Sequence, residues 1–127
     1  IYTLDTHFDD YLTTAEGKSL PVPHCIKGTV GHKLYGGLAD ALKGKLCFEK
    51  NTFPSLEMAK YLEGKDFDTI ELCGLVSNIC VLSNAVMAKS ACPNSEIIVD
   101  SSLTAAADEE IHQKSLDVMK GLFIKVL

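Results

Sequence analysis

The sequence predicts an α/β fold built on a mainly parallel sheet. Five short β-rich runs recur along its 127 residues, and segments with helical spacing lie between most of them. Two chemistry-bearing residues, Lys50 and Cys80, stand just after such runs, at the carboxyl ends where open α/β sheets bind ligands. The length suits one domain with one hydrophobic core, and an apolar fraction of 46% is ordinary for a globular chain.

The first β-rich run covers residues 1–4. Residues 5–43 combine Gly, Pro and His with little periodicity, and that length is too great for a simple connection in a compact domain, so this loop is expected to hold a site. A second run covers 46–48. Between Pro54 and Gly64 the residues Leu56, Met58, Ala59, Tyr61 and Leu62 share one helical face, with Pro54 opening and Gly64 closing a surface helix. A third run, 69–73, ends in Gly74. From 78 to 91 the residues Ile79, Val81, Leu82, Ala85, Val86 and Ala88 make a helix apolar on most sides, as for one packed deeply against a sheet. The fourth run is 96–99. Residues 108–120 form the last helix, with Leu116 and Met119 inward and Asp108, Glu109 and Glu110 near its positive end. Residues 122–126 complete the sheet.

The formal net charge of −5, with basic residues scattered, offers no footprint for a phosphate backbone, so nucleic acid is not an expected partner. No apolar run approaches the roughly 20 residues of a membrane-spanning helix, and the first residues lack the pattern of a signal peptide; no membrane partner is expected. Cys25, Cys47, Cys73, Cys80 and Cys92 form no CxxC pair and are odd in number, which fits a reducing cytoplasm. Cys47 and Cys73 sit in apolar runs and are expected to behave as small buried hydrophobes. Residue 1 is Ile, and a strand run begins there with nothing ahead to cap or cover it, so an upstream segment is expected in the complete protein.

Three constellations carry chemistry. Asp5, His7, Glu16 and His24 offer carboxylate and imidazole ligands that suit Zn²⁺, Mn²⁺ or Fe²⁺, and Asp5 and His7, two apart in an extended chain, can point the same way. The same residue types also suit a solvated turn. Cys80 falls in the first turn of a helix starting at about Asn78, where the helix dipole and unpaired N–H groups favour a thiolate; simple core packing is the alternative. Lys50 can stabilise negative charge at a strand end, or be a solvated surface lysine.

Taken together, Thr3-Leu4-Asp5-Thr6-His7, Glu16-Gly17 with Leu20-Pro21, Pro23-His24-Cys25 with Gly28-Thr29 and Gly31, Lys50-Asn51-Thr52-Phe53, and Gly74-Leu75-Val76-Ser77-Asn78-Ile79-Cys80-Val81 resemble the isochorismatase-like cysteine hydrolases, and among them the nicotinamidases and their amidase relatives. The resemblance spans nearly the whole chain. It implies a three-layer α/β/α, Rossmann-like domain over residues 1–127. It also implies that the domain is amino-terminally incomplete, because the family's first central strand, bearing its catalytic aspartate, lies upstream of residues 1–4. Strands 1–4 and 69–73 are then expected to be parallel, not paired with each other, and about 10 Å apart.

By the same resemblance Cys80 is the nucleophile and Lys50 assists it, with backbone N–H groups of Val76 and Cys80 holding the oxyanion after a cis Leu75–Val76 peptide. Asp5, His7 and His24 are the metal ligands and Glu16 an additional one. The metal, Zn²⁺ first with Mn²⁺ or Fe²⁺ as alternatives, would orient the pyridine nitrogen of nicotinamide. The implied reaction converts a small carboxamide, nicotinamide above others, to the acid and ammonia through a Cys80 thioester, in a homo-oligomer. Two alternatives stand beside it: a related hydrolase of another small amide or an N-carbamoyl compound, and a catalytically silent fragment acting as an oligomerisation partner.

Overall fold

A computed structural model describes all residues, Ile1–Leu127. The chain divides into two compact units, Ile1–Ser55 and Leu56–Leu127.

In the first unit the elements run β1 (Tyr2–Asp5), a 3₁₀ turn (Tyr11–Thr13), α1 (Ala15–Ser19), a second 3₁₀ turn (Val30–His32), α2 (Leu38–Ala41) and β2 (Cys47–Lys50). Strands β1 and β2 pair in parallel, with Tyr2 opposite Cys47 and Asp5 opposite Lys50. Past the end of β1 the chain stays extended: His7 bridges Ile26 in parallel, its N–H donating to the Cys25 carbonyl at 3.0 Å and its carbonyl accepting from Lys27 at 2.8 Å. The segment expected to be irregular therefore contains two short helices. At five and four residues they are too brief to show a periodic apolar stripe in the sequence, and α1 is held instead by its cap, Thr14 Oγ1 accepting from the Gly17 N–H at 3.0 Å.

In the second unit follow α3 (Leu56–Leu62), β3 (Thr69–Leu75), a π-helical turn (Ser77–Val81), α4 (Leu82–Ala91), β4 (Glu96–Ala105), α5 (Glu109–Gly121) and β5 (Lys125–Val126). The sheet order is β3-β4-β5, all parallel. Its core gathers Met58, Leu62, Val81, Ala85, Ala88, Ile97, Val99, Leu116, Met119 and Ile124, all buried, and Leu116 and Met119 face inward as their spacing predicts. Strands β1 and β3 lie in different sheets and share no ladder.

Several boundaries differ from expectation. Strand β4 runs on past Val99 to Ala105, because Thr104 and Ala105 pair with Gly74 and Leu75 beyond a register shift. The last strand shrinks to Lys125–Val126. Helix α5 ends in a Schellman closure, Phe123 N–H donating to the Lys120 carbonyl and Ile124 N–H to the Met119 carbonyl, both at 3.0 Å, with Phe123 in the left-handed region at φ 59°. Cys73 is exposed rather than buried, because β3 presents alternate residues outward and Cys73 falls on that side. No helix is long and apolar enough to cross a membrane.

Candidate active site

In the first unit four predicted ligands converge. Asp5 closes β1 and His7, two residues on in extended chain, points to the same side. Glu16 arrives on α1. Its neighbour Gly17 is buried against the backbone of the preceding turn, where an added Cβ would meet the Tyr11 carbonyl oxygen at 2.0 Å, so only glycine lets α1 come this close. His24 precedes Cys25, whose φ of 47° turns the chain into the Ile26 bridge.

His7 Nε2 lies 3.5 Å from both Asp5 Oδ2 and Glu16 Oε1; His24 Nε2 lies 3.5 Å from the same Asp5 oxygen and 3.7 Å from the same Glu16 oxygen. These separations are long for a charge-assisted hydrogen bond, which closes to about 2.7–2.9 Å. They are near the spacing of two donors on one ion: atoms each about 2.1 Å from a zinc-like metal stand ~3.4 Å apart in tetrahedral coordination. Two further observations fit a metal. His7 Nε2 is buried without a hydrogen-bond partner, a costly arrangement unless something accepts its lone pair. His24 Nδ1 donates to the Val22 carbonyl at 2.8 Å, which leaves the Nε2 lone pair of the neutral ring directed at the cluster. The ligand atoms of Asp5, His7 and His24 fall within 4.8 Å of one another, and the donor set suits a divalent metal.

Lys50 is not a surface lysine. Its side chain is 4% exposed, and Nζ donates to Asp5 Oδ1 and to the Thr52 carbonyl, each at 3.2 Å. Asp5 therefore spends one oxygen on Lys50 and turns the other to the imidazoles, an arrangement that follows from Asp5 and Lys50 being register partners across β1 and β2. One residue of this cluster escaped the sequence reading. The buried Tyr11 ring packs edge-on against both His7 and His24, with centroids 4.7 and 5.1 Å away, and its hydroxyl donates to the Leu20 carbonyl at 2.9 Å. Burial, and then the Glu16 and Asp5 carboxylates, push its phenol above the usual range. In a loop without periodicity nothing in the sequence distinguished it.

In the second unit Val76 and Cys80 share one turn. The Leu75–Val76 peptide is cis, at the position the resemblance implied. Cys80 is not in the first turn of an α-helix, as expected. It is in the π-helical turn Ser77–Val81, where the Val76 carbonyl accepts from Val81 at 3.1 Å and from Ile79 at 3.2 Å, and α4 begins only at Leu82. Side chains account for the wider winding: Asn84 Nδ2 and Ser83 Oγ both donate to the Cys80 carbonyl, at 2.8 and 3.3 Å. Cys80 is half-buried. Among the other thiols, Cys92 is buried and donates to the Leu62 carbonyl at 3.3 Å, and no disulfide joins the five.

The isochorismatase domain model matches residues 1–127. Among solved structures, the pyrazinamidase/nicotinamidase of Streptococcus mutans UA159 is 29% identical, with all of this chain and 75% of that one covered and a TM-score of 0.83. The nicotinamidase/pyrazinamidase of Bacillus subtilis is 26% identical over 98% of this chain and 72% of that one, with a TM-score of 0.81. The pyrazinamidase of Pyrococcus horikoshii in complex with zinc, 20% identical over 98% and 72%, shares the fold at a TM-score of 0.77. A comparison with curated proteins gave no significant match.

Proposed function

The chain belongs to the isochorismatase family of hydrolases, and on that premise we propose that it hydrolyses a small carboxamide, nicotinamide first among them, through a thioester on Cys80. The observation that carries this reading is the convergence of both imidazoles, His7 and His24, on the Asp5 and Glu16 carboxylates at 3.5 to 3.7 Å. The likeness to structures described as nicotinamidases supports it.

In this reading Asp5, His7, Glu16 and His24 hold one divalent metal, zinc before manganese or iron, which when bound supplies a Lewis-acid anchor for the pyridine nitrogen of the substrate. The zinc of the Pyrococcus relative is in keeping with that choice. Binding a ring at one end orients the carboxamide at the other, so the cluster contributes positioning. The Cys80 thiolate attacks the amide carbonyl, and the N–H groups of Val76 and Cys80 stabilise the oxyanion. The C–N bond breaks, ammonia leaves, and water cleaves the thioester to release the acid. Proton relay falls to the aspartate base that the family resemblance implies on a strand upstream of residues 1–4, distinct from Asp5. Lys50 supplies fixed positive charge, and its bond to Asp5 holds both side chains in place.

Incubating the complete metal-loaded protein, including the upstream segment that the resemblance implies, with nicotinamide and measuring ammonia and nicotinate tests the reading. Equimolar release of both products is expected. No turnover of nicotinamide, or markedly faster turnover of an N-carbamoyl compound, would overturn the substrate assignment.

A further inference from the structure

We infer that His112 is a positioning residue for the oxyanion turn, acting through Ser77; the inference rests on the reading of Cys80 as nucleophile and extends it to a residue outside that site's motif. Helix α5 begins with Asp108 as its cap, Oδ1 accepting from the Ile111 N–H at 2.9 Å, so His112 lies one turn in, its own N–H donating to the Asp108 carbonyl at 3.2 Å. From there its Nδ1 reaches Ser77 Oγ at 2.9 Å, across 35 residues of sequence. Both groups are inside the protein, with His112 7% and Ser77 0% exposed. Ser77 is the first residue of the π-helical turn, directly after Val76 and three before Cys80.

A buried hydroxyl and a buried imidazole are costly unless each satisfies the other, and an apolar pair of similar volume would fill this place without that cost. What the polar pair adds is direction. It joins the start of the turn to the rigid first turn of a thirteen-residue helix, which is itself closed by the Ser115 Oγ bond to the His112 carbonyl at 2.7 Å. The N–H groups of Val76 and Cys80 can serve an oxyanion only within a few tenths of an ångström of their working positions, and they sit on either side of the residue that His112 holds. The bond is between Nδ1 and an oxygen. An asparagine amide can occupy the Nδ1 position and offer either N–H or C=O there, whereas a glutamine amide falls at the Nε2 position, away from Ser77.

The test uses His112→Leu, His112→Asn, His112→Gln and Ser77→Ala in the complete protein, with its upstream segment, and nicotinamide turnover is one arm. The other arm is the rate of Cys80 alkylation by iodoacetamide, mapped by peptide mass. His112→Leu and Ser77→Ala should each lower kcat about 10- to 100-fold with KM little moved, the scale expected when a catalytic group shifts by up to an ångström. Combining them should add no further loss. His112→Asn should recover most of kcat and His112→Gln should not. Alkylation of Cys80 should slow several-fold in the defective variants, while Cys25 labels at the wild-type rate.

Unchanged kcat and unchanged Cys80 labelling in Ser77→Ala would overturn the inference. So would equal defects in the Asn and Leu variants, or additive losses in the double variant. If wild-type protein hydrolyses no amide, the proposed function fails and the alkylation arm still decides this one. If His112→Leu does not fold, the Asn variant and Ser77→Ala carry the decision.

Discussion

The two regions that carry the proposed chemistry are held by different means. In Ile1–Ser55 the functional groups come from four separate segments and are kept together by side chains: Tyr11 against both imidazoles, Thr14 capping the helix that bears Glu16, and Lys50 fixing one oxygen of Asp5. In Leu56–Leu127 the groups are backbone N–H donors and one thiol on a single five-residue turn and the residue that precedes it, set by main-chain bonds to the Val76 carbonyl and side-chain bonds to the Cys80 carbonyl. The first arrangement is exposed to changes in packing around the ligands. The second is exposed to changes in the winding of one turn. Substitutions in the two regions should accordingly damage different parameters.

The largest effect is expected at Cys80. Cys80→Ala should reduce nicotinamide hydrolysis to background while metal content and nicotinamide affinity stay close to wild type, as measured by elemental analysis and calorimetry. A comparable loss of metal in this variant would break the separation between the regions. Next comes His7→Ala, which removes a ligand with a buried, unpartnered nitrogen. It should lower metal occupancy at matched free zinc and raise KM about 10- to 100-fold, with a smaller change in kcat, because the cluster is assigned to orientation. Metal below about a tenth of an equivalent in reconstituted wild-type protein, with activity unaffected, would remove the metal from the account.

Smaller effects concern stability. Gly17→Ala places a methyl on the Tyr11 carbonyl and should destabilise the protein by roughly 1–3 kcal/mol, with Glu16 drawn off the cluster and metal affinity falling. A neutral result in thermal denaturation would show that α1 can move away freely. Phe123→Gly should act in the opposite sense. Phe123 is 86% exposed and left-handed, so glycine loses little contact and removes the conformational cost, for a gain of about 0.5–1 kcal/mol and no change in kinetics.

The contrast between the regions also governs what could be read from the sequence. Asp5, His7 and Lys50 drew notice because they stand at or just past strand ends, and Glu16, His24 and Cys80 because the motifs around them resemble the family's; the five β-rich runs and three longer helices were legible from periodicity. Features set by tertiary contacts were not. The pairing of Asp5 with Lys50 depends on the register of β1 and β2, which no local pattern encodes. The π-helical winding at Cys80 depends on two side chains three and four residues ahead bonding to one carbonyl, in a stretch whose apolar spacing reads as ordinary α-helix. Strand β4 continues through Ser101, Ser102 and Thr104, residues that resemble a loop until Gly74 and Leu75 pair beside them. Tyr11 and His112 gain their roles only from what they touch, across segments with no shared spacing.

The central claim is that Cys80, of the five thiols, carries the acyl group. Acid-quenched single turnovers with nicotinamide, followed by peptide mass mapping, test it most directly. A transient nicotinoyl thioester on the peptide containing Cys80, formed as ammonia appears and lost as nicotinate appears, is the predicted result. An acyl group on the Cys25 peptide, or hydrolysis that continues at the wild-type rate in Cys80→Ala, would contradict it.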